Sequence, residues 1–269
     1  MSAAIAAEPV AAPLLEVRGL QKRYGAVVAL RDVNFTVRRG EVTALLGDNG
    51  AGKSTTIKAI AGVAPIDEGD ILLEGRPVSI RHPSEATALG IQTVYQDLAL
   101  CDNLGICANL YLGRELVSSP TALGPHVLRD VDMELEARRV LKTLRINLPA
   151  LDTPVASLSG GQRQAVAIAR AVLWDSKLVI MDEPTAALGV AQTAEVLRLV
   201  RDLAEQGYGV ILITHNMQNV FQVADNIAVL RLGATVMQAR KSDVTPEQVV
   251  GAITGTLAIP GTGTAGAMA

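Results

Sequence analysis

The stretch Gly47-Asp48-Asn49-Gly50-Ala51-Gly52-Lys53-Ser54-Thr55 constrains the fold of this chain more than any other. It follows the apolar run 42–46 and leads into 56–61, whose residues suit a helix. Strand, glycine-rich turn and helix form the setting in which a G-x-x-x-x-G-K-[ST] pattern cradles phosphate. Backbone N–H groups at Gly50, Gly52 and Lys53 can face an anion because few β-carbons stand in the way. The helix N-terminus adds a partial positive charge at the same point. In that setting Lys53 reaches the β- and γ-phosphates and the Ser54 hydroxyl ligates Mg²⁺, so all nine residues are candidates for nucleotide binding.

Composition narrows the remaining choices. The chain has 269 residues, 49% of them hydrophobic and 19% charged, enough for a substantial core and unlike a disordered chain. A formal charge of −3 without a basic block leaves no electrostatic footprint for nucleic acid. Cys101 and Cys107 form no CxxC pair and read as small apolar residues of a reduced chain. No apolar run reaches the ~20 residues of a membrane-spanning helix. Residues 1–13 read as a loose leader without the basic start of a secretion signal, and 255–269 as a fraying tail.

Along the chain, 14–18 and 33–37 read as strands, the second alternating at period two. Tyr24, between them, offers an aromatic face that either stacks on a base or packs on the surface. Further strands are expected at 71–73, 92–95, 177–181 and 210–213, the last two apolar throughout as strands buried on both faces are. The spacing predicts helices over 103–112, 133–144, 190–206 and 217–223, and a hairpin of 227–231 with 235–238 about Gly233. A loop is expected at 118–125. The stretch from about 97 to 157 therefore reads as a helical insertion in an α/β domain.

Several chemistry-bearing residues close predicted strands. Asp182 and Glu183 follow the apolar strand at the end where open α/β sheets present ligand groups. Asp182 is placed to hold Mg²⁺ and Glu183 to polarise an attacking water, although Pro184 also suits an ordinary helix start. His215 ends the strand 210–214, at the level of a γ-phosphate. Gln96 closes 92–95, and its amide can meet Mg²⁺ or the water. Leu158-Ser159-Gly160-Gly161-Gln162 supplies a second helix N-terminus, capped by Ser159 and able to bind an anion. A second anion cradle in one chain makes sense if it closes on the nucleotide of another copy.

In this order the motifs resemble those of the nucleotide-binding subunits of ABC transporters, over residues 14–254. The resemblance implies a P-loop (RecA-like) core, an antiparallel β subdomain and an inserted α-helical subdomain at about 97–157. It matches 47–55 to Walker A, Asp182 to Walker B, Glu183 to the catalytic glutamate, Tyr24 to the A-loop aromatic, Gln96 to the Q-loop, 158–162 to the signature and His215 to the switch histidine. It further implies ATP and Mg²⁺, and a head-to-tail dimer in which Ser159, Gly160, Gly161 and Gln162 of one copy meet the nucleotide of the other. Transmembrane permease subunits would press on the helical insertion, with Gln96 as hinge, at the cytoplasmic face of the inner membrane.

Finer resemblance points to monosaccharide importers of the ribose, xylose and fructose type. It is carried by 95–100, by 109–115 and by His215-Asn216-Met217, and it implies a periplasmic or extracellular sugar-binding protein as an indirect partner. The chain is similar to the single-cassette members, so two copies per transporter are expected. One position departs from the family pattern: Gly189 stands where the D-loop usually carries aspartate, which puts coupling between the two sites in question. The competing readings are a soluble ABC protein acting on ribosomes or DNA, which the absence of paired cassettes and basic arms disfavours, and an exporter ATPase.

Overall fold

The computed structural model describes residues 12–118 and 127–256. Most of the expected leader, most of the 118–125 loop and nearly all of the expected tail lie outside these described residues. Among the described residues ten strands form one mixed sheet in the order β5-β4-β1-β2-β10-β9-β3-β8-β7-β6. They are β1 (Leu15–Tyr24), β2 (Val27–Val37), β3 (Val42–Leu46), β4 (Glu68–Leu73), β5 (Arg76–Val78), β6 (Ile91–Val94), β7 (Leu178–Asp182), β8 (Gly209–Ile213), β9 (Asn226–Arg231) and β10 (Ala234–Arg240). The helices are α1 (Lys53–Ile60), α2 (Pro83–Ala88), α3 (Ile106–Tyr111), α4 (Asp130–Thr143), α5 (Gly160–Val172), α6 (Val190–Glu205), α7 (Met217–Val223) and α8 (Pro246–Thr254).

β5, β4, β1 and β2 pair antiparallel, whereas β9, β3, β8, β7 and β6 run parallel. Strand register aligns the carboxyl ends of the parallel set. Leu45 lies opposite Ile213, Ile213 opposite Asp182, and Met181 opposite Val94. Loops leaving β3, β8, β7 and β6 consequently emerge side by side, at the edge where open α/β sheets meet their ligands.

Alternation along these strands separates two apolar layers. Leu45, Ile180, Ile211 and Ile213 face a core shared with Ile57 and Ile60 of α1 and with the antiparallel strands. Val42, Val179, Met181, Val210 and Leu212 face a core shared with α3, α4, α5 and α6. Helices α1 and α5 thus pack on opposite faces of the parallel sheet.

Several boundaries differ from the sequence expectation. The 14–18 strand runs to Tyr24 and is met by a β2 that begins at Val27, so Tyr24 stands at a hairpin end and not in a long loop. Helix α1 begins at Lys53, because the glycine turn leads directly into it. Helix α3 begins at Ile106 and not at 103, because Gly105 caps it after a tight turn. Helix α4 begins at Asp130, where Asp130 and Asp132 complement the first-turn dipole. β4 starts at Glu68 and not at 71, with Gly69 at φ 95° distorting the added residues. Cys101 and Cys107 are free and half-buried.

Candidate functional site

The glycine turn after β3 is held by close packing that only glycine permits. Gly52 takes φ 106° as the N-cap of α1, and a β-carbon there would stand 2.8 Å from Leu30 Cδ2 and 3.1 Å from the Ala29 carbonyl oxygen. Gly50, at φ 78°, faces open space, so its side of the loop is free to admit a ligand. No side chain caps α1, which leaves its first N–H groups directed outward. The Lys53 ammonium folds back over the loop, donating to the Gly47 carbonyl at 2.7 Å and the Asp48 carbonyl at 3.0 Å. Two neutral acceptors hold that cation above the cradle, and among the described residues no anionic side chain is bonded to it.

Two strands away, Asp182 closes β7 and Glu183 follows at φ 49°, with its N–H donated to the Ile213 carbonyl at 2.9 Å. That bond and the left-handed turn aim the Glu183 side chain along the sheet edge. Its Oε1 lies 3.0 Å from His215 Nδ1, while Oε2 is buried without a partner among the described residues. A buried carboxylate oxygen left unbonded is costly, which marks a place where a water or substrate hydroxyl would bind. Burial pushes the Asp182 carboxyl above the usual range, Glu183 adds to the shift, and Lys53 opposes it. His215, beyond β8, is largely exposed at 83% and can turn toward an incoming group.

Gln96 lies two residues past β6 in an exposed turn closed by the Leu98 N–H on the Tyr95 carbonyl at 3.0 Å. It therefore joins the same edge next to Asp182. Tyr24 is half-exposed at the β1–β2 hairpin, with the Lys22 ammonium 5.5 Å from its ring centre. Lys22 pairs across the hairpin with Leu30, which touches Gly52, so the hairpin end stands beside the start of α1.

Ser159 and its neighbours are not with this group in the way the phosphate loop is. Ser159 caps α5 by a capping box: its Oγ accepts from the Gln162 N–H at 3.3 Å, and Gln162 Oε1 accepts from the Ser159 N–H at 2.9 Å. Gly160 is wedged against Leu188, which would lie 2.8 Å from a β-carbon, and Gly161 against Gln192. With α1 and α5 on opposite faces of the sheet, this second helix start opens away from the P-loop helix of its own chain.

Sequence reasoning passed over the supports around Gly189. That residue caps α6, and Gln192 Oε1 accepts its N–H at 3.3 Å. Asn219 donates from Nδ2 to Thr185 Oγ1 at 3.1 Å, tying the loop after Glu183 to α7 after His215. A polar residue at the third helical position signals such a cap, whereas the Asn219 contact spans 34 residues and has no local signal.

The fold and the glycine cradle define a P-loop nucleotide hydrolase of the ATP-binding cassette type. The ABC transporter family model matches residues 30–186. The fructose import ATP-binding protein FrcA of Rhizobium meliloti is 48% identical over 247 residues, covering 90% of this chain and 94% of that protein. The xylose/arabinose import ATP-binding protein XylG of Sulfolobus acidocaldarius is 45% identical over 241 residues, with the same coverage on both sides. Among solved structures, a nucleotide-free ATP-binding cassette from an ABC transporter superposes with a TM-score of 0.75 at 26% identity, covering 90% of this chain and 96% of that one. The chain belongs to the ABC transporter family, as one of its ATP-hydrolysing cassettes.

Proposed function

We propose that this chain is the ATPase subunit of a monosaccharide importer, in which two copies close on ATP and drive permease subunits in the membrane. The observation that carries the reading is its likeness, along almost the whole length, to the fructose and xylose/arabinose import ATP-binding proteins. The segments 95–100 and 109–115 and the triplet His215-Asn216-Met217 point the same way.

In this reading residues Gly47, Asp48, Asn49, Gly50, Ala51, Gly52, Lys53, Ser54 and Thr55 hold the phosphates and Tyr24 stacks on the base. Ser159, Gly160, Gly161 and Gln162 of the second copy cover the γ-phosphate. Ser54, Gln96 and Asp182 would hold Mg²⁺, which would neutralise phosphate charge. Among the described residues no group of three or more His, Cys, Asp or Glu side chains could cage a metal. That donor set suits an ion that binds through few carboxylates and the substrate's own phosphates.

Glu183 then accepts a proton from the attacking water through the oxygen that lacks a partner, while His215 fixes the other oxygen. Release of the partner's signature after hydrolysis reopens the dimer, so differential affinity for the closed state performs the work. Among the described residues no helix is long and apolar enough to cross a membrane, so contact with the bilayer would run through the permease. Support for a docking surface comes from the helical insertion, where Leu112, Leu128, Val131 and Leu135 are exposed. A sugar-binding protein would deliver the substrate on the far side of the membrane.

Replacing Glu183→Gln should lower turnover about 10³-fold while leaving ATP binding intact. It should also accumulate an ATP-dependent dimer on size exclusion; a monomer with normal turnover would refute the role. For the transport reading, tagged chain purified from membranes should bring a permease whose ATPase rises with a monosaccharide and its binding protein. Recovery with ribosomes or DNA instead would sink it.

A further inference from the structure

The turn containing Gln96 is followed by two residues that occupy the left-handed region without being glycine. Leu98 has φ 58° and Ala99 φ 46°. Two consecutive left-handed side-chain-bearing residues persist only where surrounding structure imposes them. The restraint is Arg170, on the helix that Ser159 starts. Its Nη1 donates to the Ala99 carbonyl and its Nη2 to the Leu98 carbonyl, each at 2.7 Å. Both are charge-assisted bonds to neutral acceptors, made by a planar fork that presents two donors at once.

The same end of α5 is joined to α3. Trp174, four residues beyond Arg170, meets Tyr111 edge-on at 5.5 Å between ring centres, and the Arg114 guanidinium lies 5.2 Å over the Trp174 ring. The chain between Ala99 and α3 is fastened too. Buried Asn109 accepts from the Cys101 N–H at 2.7 Å and donates to the carbonyls of Cys101, Leu104 and Gly105 at 3.0 to 3.1 Å. From Leu98 onward, then, the backbone is bonded to the helical body. Before Val94 it belongs to the sheet. Residues 95–97 link the two on the N-terminal side of the insertion, and α5 leads back to the sheet at β7 on the other.

We propose that Arg170 is a positioning residue for hydrolysis. It locks the left-handed turn at Leu98 and Ala99 to the signature-bearing helix, so that Gln96 and Ser159 shift as one body relative to the P-loop. The inference rests on the reading that Gln96 and Ser159 serve the nucleotide, and it adds the element that ties them. Among the described residues the Arg170 side chain bonds to the Leu98 and Ala99 carbonyls, so it acts through the loop.

The test uses the full chain with Arg170→Met, which keeps the apolar stem, and Arg170→Lys, which keeps the charge but not the fork. Arg170→Met should lower kcat for ATP by about tenfold or more with KM within about twofold, because the P-loop is untouched. Amide hydrogen exchange should accelerate at 98–101 and stay unchanged in α1. Arg170→Lys should recover part of the loss. Adding Ala99→Gly to Arg170→Met should also recover part of it, since glycine adopts the left-handed turn unaided. Wild-type kcat in Arg170→Met, or exchange at 98–101 that does not change, overturns the proposal. Gln96→Ala separates the two levels: if it is inactive while Arg170→Met is normal, only the lock is wrong; if Gln96→Ala turns over normally, the underlying reading of that residue fails.

Discussion

Two helix starts in this molecule have the chemistry to hold an anion, and they treat their free N–H groups in opposite ways. At α1 the cap is a left-handed glycine, no side chain closes the end, and Lys53 rests on two carbonyls of its own loop. At α5 the cap is Ser159, which with Gln162 satisfies the helix end in a reciprocal box. The first leaves its N–H groups open for a ligand; at the second the Ser159 and Gln162 N–H groups are already paired, and those of Gly160 and Gly161 stay open among the described residues. Their helices also lie on opposite faces of the sheet. In the proposed dimer, the open, glycine-built cradle would hold the nucleotide of its own chain, and the self-capped start would meet the nucleotide of the other copy.

The largest effect expected from that contrast is at Lys53. Lys53→Ala should weaken ATP binding to the isolated chain by about 2 kcal/mol or more, roughly 30-fold, measured by titration calorimetry. Equal loss from Ser159→Ala would erase the distinction between the two starts. Ser159→Ala should instead leave monomer binding unchanged and lower unfolding free energy by about 1 kcal/mol, the usual cost of a lost cap, read from urea denaturation.

A smaller effect is expected at Asp182. Its raised pKa means that the ionised carboxyl is disfavoured in the folded, nucleotide-free chain, by burial first and Glu183 second. A raised carboxylate value favours folding at low pH, and that contribution is lost as pH rises from the ordinary 3.8 through the native value. Asp182→Asn should therefore raise the urea midpoint of the nucleotide-free protein at pH 7 while abolishing turnover. The gain should shrink toward pH 4, and a gain independent of pH would contradict the assigned cause.

Much of this was legible in the sequence because the informative features are local. The glycine spacing before Lys53, the apolar runs 178–181 and 210–213 and the Ser159 to Gln162 cap each signal their own structure within a few residues. The reading stopped where neighbours are distant. The edge strand β5 and helices α2 and α8 carry weak or short apolar patterns and went unassigned. The extension of β1 to Tyr24 is dictated by pairing with β2, not by alternation. The opposition of α1 and α5 depends on which residues of each strand face which layer, and the Arg170 contact joins positions 71 and 72 residues apart. Such contacts leave no local periodicity to read.

The central claim is that a complete nucleotide site takes the P-loop of one copy and the signature of another. Mixing two inactive chains tests it most directly. Lys53→Ala removes the cradle but keeps the signature, and Ser159→Arg blocks the signature but keeps the cradle. In a two-fold dimer of the two, one site receives both intact halves, and an equal mixture should recover about a quarter of wild-type ATPase activity. A mixture as inactive as its components would contradict the account.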